Sequence, residues 1–319
     1  MDIEILEKAR EYGTLVTKDK LMRVIAKQEG IPVEDYKNNK VNEVYKGHST
    51  VVWENDEIDK LFGQGYLELN NSNFIENEFV NLKNGQKSVL TMHRNGELLL
   101  LDTNINAHGI KPKNKEQIFA FNALMNKEIE LVTMTGTSGT GKTMCAIANG
   151  LEQVLEKERY DKMIVARPSV SAGEELGFLP GNIDEKLEPW MKPIKDNIDF
   201  IYRGREDRDV VQDLKTMGKL EFESLEHIRG RSIPNQFILI DEVQNSDINL
   251  IKTILTRVGK GSKIVLTGDI EQIDLPYLDK QSNGLSYVID KFKGQNNFAQ
   301  INLEKSERSR LAEQSSKLL

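Results

Sequence analysis

From residue 109 onward the sequence predicts an α/β layer fold built on a mostly parallel sheet, and three observations carry that prediction. Apolar runs at Leu131–Thr135, Met163–Ala166, Phe237–Ile240 and Lys263–Thr267 alternate with stretches of helical period. Runs apolar on both faces need cover on both faces, which helices flanking a parallel sheet supply. A glycine-rich loop follows the first run and opens a helix, and a pair of carboxylates closes the third run.

The helix after the first run places Ile147, Ala148, Leu151, Val154 and Leu155 on one stripe, and a second helix over Leu250–Val258 is expected to stop at Gly259. Residues 44–108 have a different rhythm. Short runs of period two, such as Ser49–Trp53 and Tyr66–Leu69, surround Asn84-Gly85 and Asn95-Gly96, dipeptides suited to the positive φ of tight hairpins. A small antiparallel β unit is expected there. Residues 1–43 read as a helix over Ile3–Tyr12, a strand over Thr14–Thr17 and a helix over Lys20–Gln28, with Gly30 and Pro32 as stops. That is too little chain to bury a core of its own, so it reads as the tail of a larger domain or a docking segment.

Composition bounds the function. The 319 residues carry a net charge of -7, which argues against a broad basic surface that coats nucleic acid and leaves room only for a local basic groove. Cys145 is the single cysteine, so no internal disulfide framework exists, and no apolar run reaches membrane-spanning length. Acidic residues within Met1–Arg10 stand where a secretion signal carries an apolar core, and a cytoplasmic location is expected. No histidines or cysteines recur at zinc-ligand spacing, and Trp53, Trp190 and Tyr202 are expected to pack rather than to stack on bases.

The chemistry is concentrated in Gly136-Thr137-Ser138-Gly139-Thr140-Gly141-Lys142-Thr143, which fits G-x-x-x-x-G-K-[ST] between a strand and a helix. Glycines let backbone N–H groups curl around phosphate oxygens, and the helix N-terminus adds roughly half a positive charge. Lys142 is placed to neutralise β and γ oxygens, and Thr143 offers a hydroxyl to magnesium. The run Phe237-Ile238-Leu239-Ile240-Asp241-Glu242 sets two carboxylates at the strand edge where open α/β sheets bind ligands. Asp241 is expected to hold the metal with Thr143, and Glu242 to orient or deprotonate the attacking water.

Thr267-Gly268-Asp269 with Gln272 follows another apolar strand, and Gln244 lies just past Asp241. These residues suit a sensor of the γ-phosphate, although the same letters also suit an ordinary turn. Phosphoryl transfer gains from an arginine on the γ-phosphoryl, in cis or from a neighbour. The candidates are Arg167, Arg229, Arg231, Arg257, Arg308 and Arg310, and Arg308 or Arg310 is preferred over Arg257 because Ser306 can cap a helix there.

Taken together, Pro112-Lys113-Asn114 with Gln117, the phosphate loop, Val165-Ala166-Arg167-Pro168, Gly177-Phe178-Leu179-Pro180-Gly181, Ile228-Arg229-Gly230-Arg231-Ser232, Asp241-Glu242-Val243-Gln244-Asn245 and Leu266-Thr267-Gly268-Asp269 through Gln272 resemble the PhoH-like ATPases. The resemblance spans Gly109–Leu319 and implies a RecA-like P-loop NTPase fold, similar to the nucleotide-binding half of superfamily-one helicases. It implies ATP with magnesium as ligands and Gln117 as reader of adenine. It further implies Gln244 and Gln272 as couplers of the γ-phosphate to movement, and Arg167 on the nucleic-acid side. Thr14-Leu15-Val16-Thr17-Lys18-Asp19, Leu21, Arg23 and Gly30-Ile31-Pro32-Val33 with Asp35-Tyr36 resemble the end of a PIN ribonuclease domain. Asp19 alone does not assemble the several carboxylates of such a nuclease, so ribonuclease activity is not expected.

The function implied is ATP hydrolysis coupled to remodelling or unwinding of single-stranded RNA by a homo-oligomer, in the family's manner a six-membered ring. An assembly ATPase or switch with a protein partner is the alternative, favoured by the acidic charge. A small-molecule kinase is disfavoured because Glu242 suits water better than an acceptor hydroxyl.

Overall fold

The computed structural model describes residues 2–17, 19–35, 41, 43–69, 72–168, 183–203, 209–228, 231–275 and 278–307. Several expectations fall outside them: Gly177–Gly181, Arg229, Gly230, Tyr36, Arg308 and Arg310.

In chain order the first elements are α1 (Asp2–Tyr12), β1 (Leu15–Thr17), α2 (Lys20–Gln28) and β2 (Val33–Asp35), with β1 and β2 paired in parallel. Asp19 caps α2, its Oδ1 accepting from Met22 N at 3.0 Å. Contrary to expectation this segment does bury a small cluster, Leu6, Leu15, Ala26 and Ile31. It leaves Tyr12, Val16, Leu21 and Val24 exposed.

Next come β3 (His48–Val52), α3 (Asn55–Gln64), β4 (Tyr66–Glu68), β5 (Phe79–Asn84), β6 (Lys87–Arg94) and β7 (Glu97–Leu100), a five-stranded sheet in the order β3-β5-β6-β7-β4. Asn95 and Gly96 take φ 51° and 81° in the β6–β7 turn, as Asn-Gly predicts. The purely antiparallel unit needs correction, because β3 pairs in parallel with β5. The cause is the intervening chain: α3 and β4 lie between them in sequence and act as a crossover, whereas turn dipeptides report only adjacent strands.

The remainder runs α4 (Lys115–Met125), β8 (Leu131–Gly136), α5 (Lys142–Leu151), β9 (Met163–Arg167), α6 (Ile183–Ile201), α7 (Val210–Thr216), β10 (Leu220–Ser224), the single turn α8 (Leu225–Ile228), β11 (Phe237–Ile240), α9 (Ile248–Leu255), β12 (Lys263–Gly268), α10 (Gly284–Phe292) and β13 (Phe298–Leu303). The sheet is six-stranded and parallel throughout, in the order β10-β9-β11-β12-β8-β13. Side chains alternate across it: Phe237 and Leu239 join Phe119, Ile147 and Met191 on the α4–α5–α6 face, while Ile238 and Ile240 join Ile251, Ile254 and Ile289 on the α9–α10 face. Each such side chain contributes about 1.5–3 kcal/mol by leaving water.

With β12 inserted between β8 and β11, the loop after β8 and the acidic end of β11 face one another across a RecA-like sheet. The second helix of the prediction ends earlier than expected, at Leu255, because Val258 bridges Ile233 instead.

Two features bind the β unit to this sheet. Asn77 Nδ2 donates to the carbonyls of Gln295, Asn296 and Phe298 at 3.2, 3.0 and 2.9 Å, gripping the turn into β13. His48 Nε2 contacts Asn302 O at 2.9 Å, and Asn302 N donates to Lys46 O at 3.0 Å. Among the described residues no helix is long and apolar enough to cross a membrane.

Candidate nucleotide site

The loop after β8 ends at Gly141, the left-handed cap of α5 with φ 90°. A Cβ there would stand 2.9 Å from Gln117 Nε2, so glycine is required both by the backbone and by the neighbour. The first bond of α5 runs from Cys145 N to Gly141 O at 2.9 Å, which leaves the preceding helical N–H groups without helix partners, as at any N-terminus. Lys142 is only 9% exposed, and its ammonium donates to Gly136 O at 2.7 Å and Thr137 O at 3.1 Å. Burial of that charge is offset by these carbonyls, whose lone pairs mimic the oxygens of a polyphosphate. Thr137 O also accepts from Thr140 Oγ1 at 2.9 Å, and Ser138 and Gly139 form the turn between them.

Across the sheet, Thr143 Oγ1 donates to Asp241 Oδ1 at 3.0 Å, and Thr267 Oγ1 donates to the same oxygen at 2.5 Å. Asp241 is 3% exposed. A hydroxyl and a buried carboxylate this close are hard oxygen donors of the kind a hydrated divalent cation takes beside phosphates. The fold therefore brings together the two residues expected to share magnesium.

Glu242 sits in the left-handed region at φ 61°, a conformation costing a non-glycine residue about 1–3 kcal/mol that recurs at functional positions. Its carboxylate is bound by Gln244, whose Nε2 donates to Glu242 Oε2 at 2.5 Å and to Gln272 O at 3.0 Å. Gln244 Oε1 accepts from Asp269 N at 3.1 Å, so this buried amide ties the ends of β11 and β12 together. Gly268 permits the approach: a Cβ there would lie 2.4 Å from Gln244 Oε1. The side chain of Gln272 is exposed, and its link to the relay is through its carbonyl.

Gln117 lies against the loop from the other side. Its Nε2 donates to Thr140 O at 3.0 Å and its Oε1 accepts from Lys113 N at 2.8 Å. Asn114, the cap of α4, accepts from Gln117 N at 3.0 Å. Beside the loop a cavity of about 330 Å³ is lined by Lys46, Thr137, Asp269, Glu271 and Glu304 among others.

Arg167, one of the candidate arginines, joins this site through the two carboxylates. Its guanidinium stands 3.5 Å from Asp241 Oδ2 and 3.3 Å from Glu242 Oε1, and donates to Trp190 O at 2.8 Å. The guanidinium thus clamps both carboxylates. Only its position at the end of an apolar strand hinted at this, since strands β9 and β11 had to be adjacent for the contact to form. Arg231 is elsewhere, paired with Glu221 and Glu223 on the edge strand β10.

A RecA-like sheet carrying this loop, with Asp241 and Glu242 facing it, defines a P-loop NTPase. The family model described as PhoH-like protein matches residues 109–318. Protein PhoH2 of Bacillus subtilis is 41% identical over 333 aligned residues, covering 100% of this chain and 75% of that protein. Protein PhoH2 of Mycolicibacterium smegmatis is 32% identical, covering 95% and 69%. The chain belongs to the PhoH-like family. The solved Pif1 helicase of Candida albicans overlays with a TM-score of 0.34 at 15% identity, covering 65% of this chain and 43% of that one, a similarity too weak to bear on the fold.

Proposed function

We propose that the chain binds ATP with magnesium, hydrolyses it, and couples the hydrolysis to remodelling of single-stranded RNA in the cytoplasm. The observation that carries the nucleotide part is the 3.0 Å contact between Thr143 and Asp241 beside the buried ammonium of Lys142. In this reading Lys142 exchanges the carbonyls of Gly136 and Thr137 for β and γ oxygens, while backbone N–H groups at the start of α5 take the remaining phosphate oxygens. Backbone of Ser138, Gly139 and Thr140 wraps the β-phosphate. Thr143 and Asp241 hold magnesium, which when bound neutralises charge on the β and γ oxygens. Glu242 accepts the proton of the attacking water, and Arg167 holds both carboxylates in place. Gln244 passes any movement of Glu242 to Asp269 and to the exposed loop at Gln272, which gives a partner a handle on the reaction.

Arg167 is held by the carboxylates of Asp241 and Glu242. The arginine on the γ-phosphoryl is therefore assigned to Arg308 or Arg310, from the same chain or from a neighbour in a homo-oligomeric ring. We assign three units, 1–43, 44–108 and 109–319, the last as the ATPase and the first as a PIN-like segment in which ribonuclease activity is not expected.

ATP turnover with and without single-stranded RNA, alongside mass by light scattering, tests this. Expected are magnesium-dependent phosphate release, stimulation by RNA and an oligomer. Turnover and nucleotide affinity indifferent to RNA overturn the RNA part, and a fully active monomer removes the ring. The net charge of -7 favours a second reading, a protein partner in place of RNA. Steep loss of partner binding at raised salt supports RNA, because phosphate contacts release counterions.

A further inference from the structure

Helix α4 ends in a socket that side chains from elsewhere in the chain fill. A helix leaves its last carbonyls without intrahelical donors. In α4, Asn122 O accepts from Asn126 N, and the next four carbonyls are all met by side chains. Lys263 Nζ donates to Ala123 O at 3.2 Å, to Asn126 O at 2.7 Å and, just beyond the helix, to Ile129 O at 2.5 Å. Gln153 Nε2 donates to Leu124 O at 3.2 Å, and Arg159 Nη1 donates to Met125 O at 2.9 Å and to Gln153 Oε1 at 3.3 Å. Lys263 is 1% exposed, a cation buried against the negative end of a helix dipole. It opens β12, while Gln153 lies in the π-helical turn Glu152–Glu156 that continues α5. The rear of α4 is therefore bolted to the roots of the two elements whose other ends carry Asp269 and Lys142.

The front of α4 meets the phosphate loop. Gln117 Nε2 donates to Thr140 O at 3.0 Å, and Glu307 straps the same place, its N donating to Gly139 O at 2.9 Å and its Oε1 accepting from Asn114 Nδ2 at 2.9 Å. Moving α4 toward the loop presses Gln117 on Gly141, the residue before Lys142, and moving it away breaks the bond to Thr140. Between its ends the helix is held by apolar contact: Phe119, Phe121 and Leu124 are fully buried, and Phe79 of the β unit stacks on Phe119 at 5.0 Å. Apolar burial is non-directional, so it sets the depth of the helix and leaves its position along its axis free. The directional bonds at the rear supply that missing constraint.

We propose that Lys263 and Arg159 are positioning residues for triphosphate binding: by filling the socket at the end of α4 they hold Gln117 at the distance from Thr140 that keeps the phosphate loop in its binding shape. This rests on the ATP reading above. Neither residue touches the nucleotide; both act through the helix.

The test is steady-state phosphate release against ATP concentration, with magnesium, for the wild type, Lys263→Met, Arg159→Met and Arg159→Lys, each held below its thermal melt. Lys263→Met keeps the stem and strips the ammonium. Its KM, and the dissociation constant of a fluorescent ATP analogue, are expected to rise about tenfold, the worth of one hydrogen bond to the loop. Its kcat is expected to stay within about twofold of wild type, because Asp241 and Glu242 are positioned from β11, with β12 between that strand and β8. Arg159→Met should move KM in the same direction by a smaller factor, and Arg159→Lys, which returns a cation to Met125 O, should restore it. A lowered melting midpoint with wild-type KM and dissociation constant overturns the role and leaves a structural cap, and so does a fall in kcat at unchanged KM. Should Lys263→Met fail to fold, the two Arg159 variants decide by the same readings. A wild type that binds no nucleotide sinks the ATP reading and this role with it, whereas normal wild-type binding with unaltered variants sinks this role alone.

Discussion

Replacing Gly268 by alanine tests whether the Gln244 relay governs the reaction. The added Cβ would stand 2.4 Å from Gln244 Oε1 and 2.8 Å from Leu285 Cδ2, whereas ordinary contact begins near 3.4 Å, so the amide must retreat by about 1 Å. Gln244 is 1% exposed, and retreat breaks its bonds to Asp269 N, Gln272 O and Glu242 Oε2 without offering water in exchange. At about 0.5–1.5 kcal/mol net for each, the loss is about 2–4 kcal/mol. With a urea slope of about 1–3 kcal/mol/M, the unfolding midpoint falls by about 1 M. Because Glu242 loses its positioning amide, and a displacement of about 1 Å at a reacting group costs about a hundredfold, turnover drops by roughly two orders of magnitude. Nucleotide affinity is unchanged, since the loop and Lys142 are untouched. Urea denaturation, phosphate release and equilibrium nucleotide binding read the three quantities separately. Wild-type turnover in a folded Gly268→Ala protein would refute the relay.

Lys142→Ala should abolish nucleotide binding as measured by fluorescent-analogue titration while leaving the thermal melt cooperative; retained affinity would move the phosphate site elsewhere. Glu242→Gln should bind ATP normally but slow single-turnover hydrolysis by about 10²–10⁴, and normal turnover would reassign the base. At β10, burial and the neighbouring Glu221 push the Glu223 carboxyl up from 4.5 to about 7, while its bond to Glu223 and the Lys162 ammonium pull Glu221 down. The folded chain thus keeps on Glu223 a proton that the unfolded chain releases first, so this group's stabilisation is present below pH 4.5 and is lost as pH rises toward 7. Glu223→Gln should flatten the stability profile across that window in pH-dependent urea melts, and a profile as steep as wild type would locate the proton elsewhere.

The candidate site's arrangement was legible in the sequence because its parts are local: a loop of consecutive residues and a carboxylate pair at the end of an apolar run. Strands β10 and β13 were not legible, for two different reasons. β10 is an edge strand that carries Glu221 and Glu223 in ion pairs with Lys162 and Arg231, so its apolar signal is broken. β13 is buried but spends Gln300 and Asn302 on a polar ladder with β8, which from sequence looks like a loop. The clamp of Arg167 and the strap of Glu307 depend on which strands become neighbours, and no local pattern encodes that. Asp19, Asn114 and Asp247 cap their helices through side-chain oxygens that accept from N–H groups three residues on.

Asn77 has a mechanical consequence. A joint between two bodies bends where few bonds cross it, yet here one amide nitrogen holds three carbonyls of the turn that launches β13. Gly47 presses so closely on Gln300 that a methyl group would overlap its carbonyl. The five-stranded sheet therefore rides as a handle on the strand beside the phosphate loop, and a load applied to the handle arrives at that loop without slack.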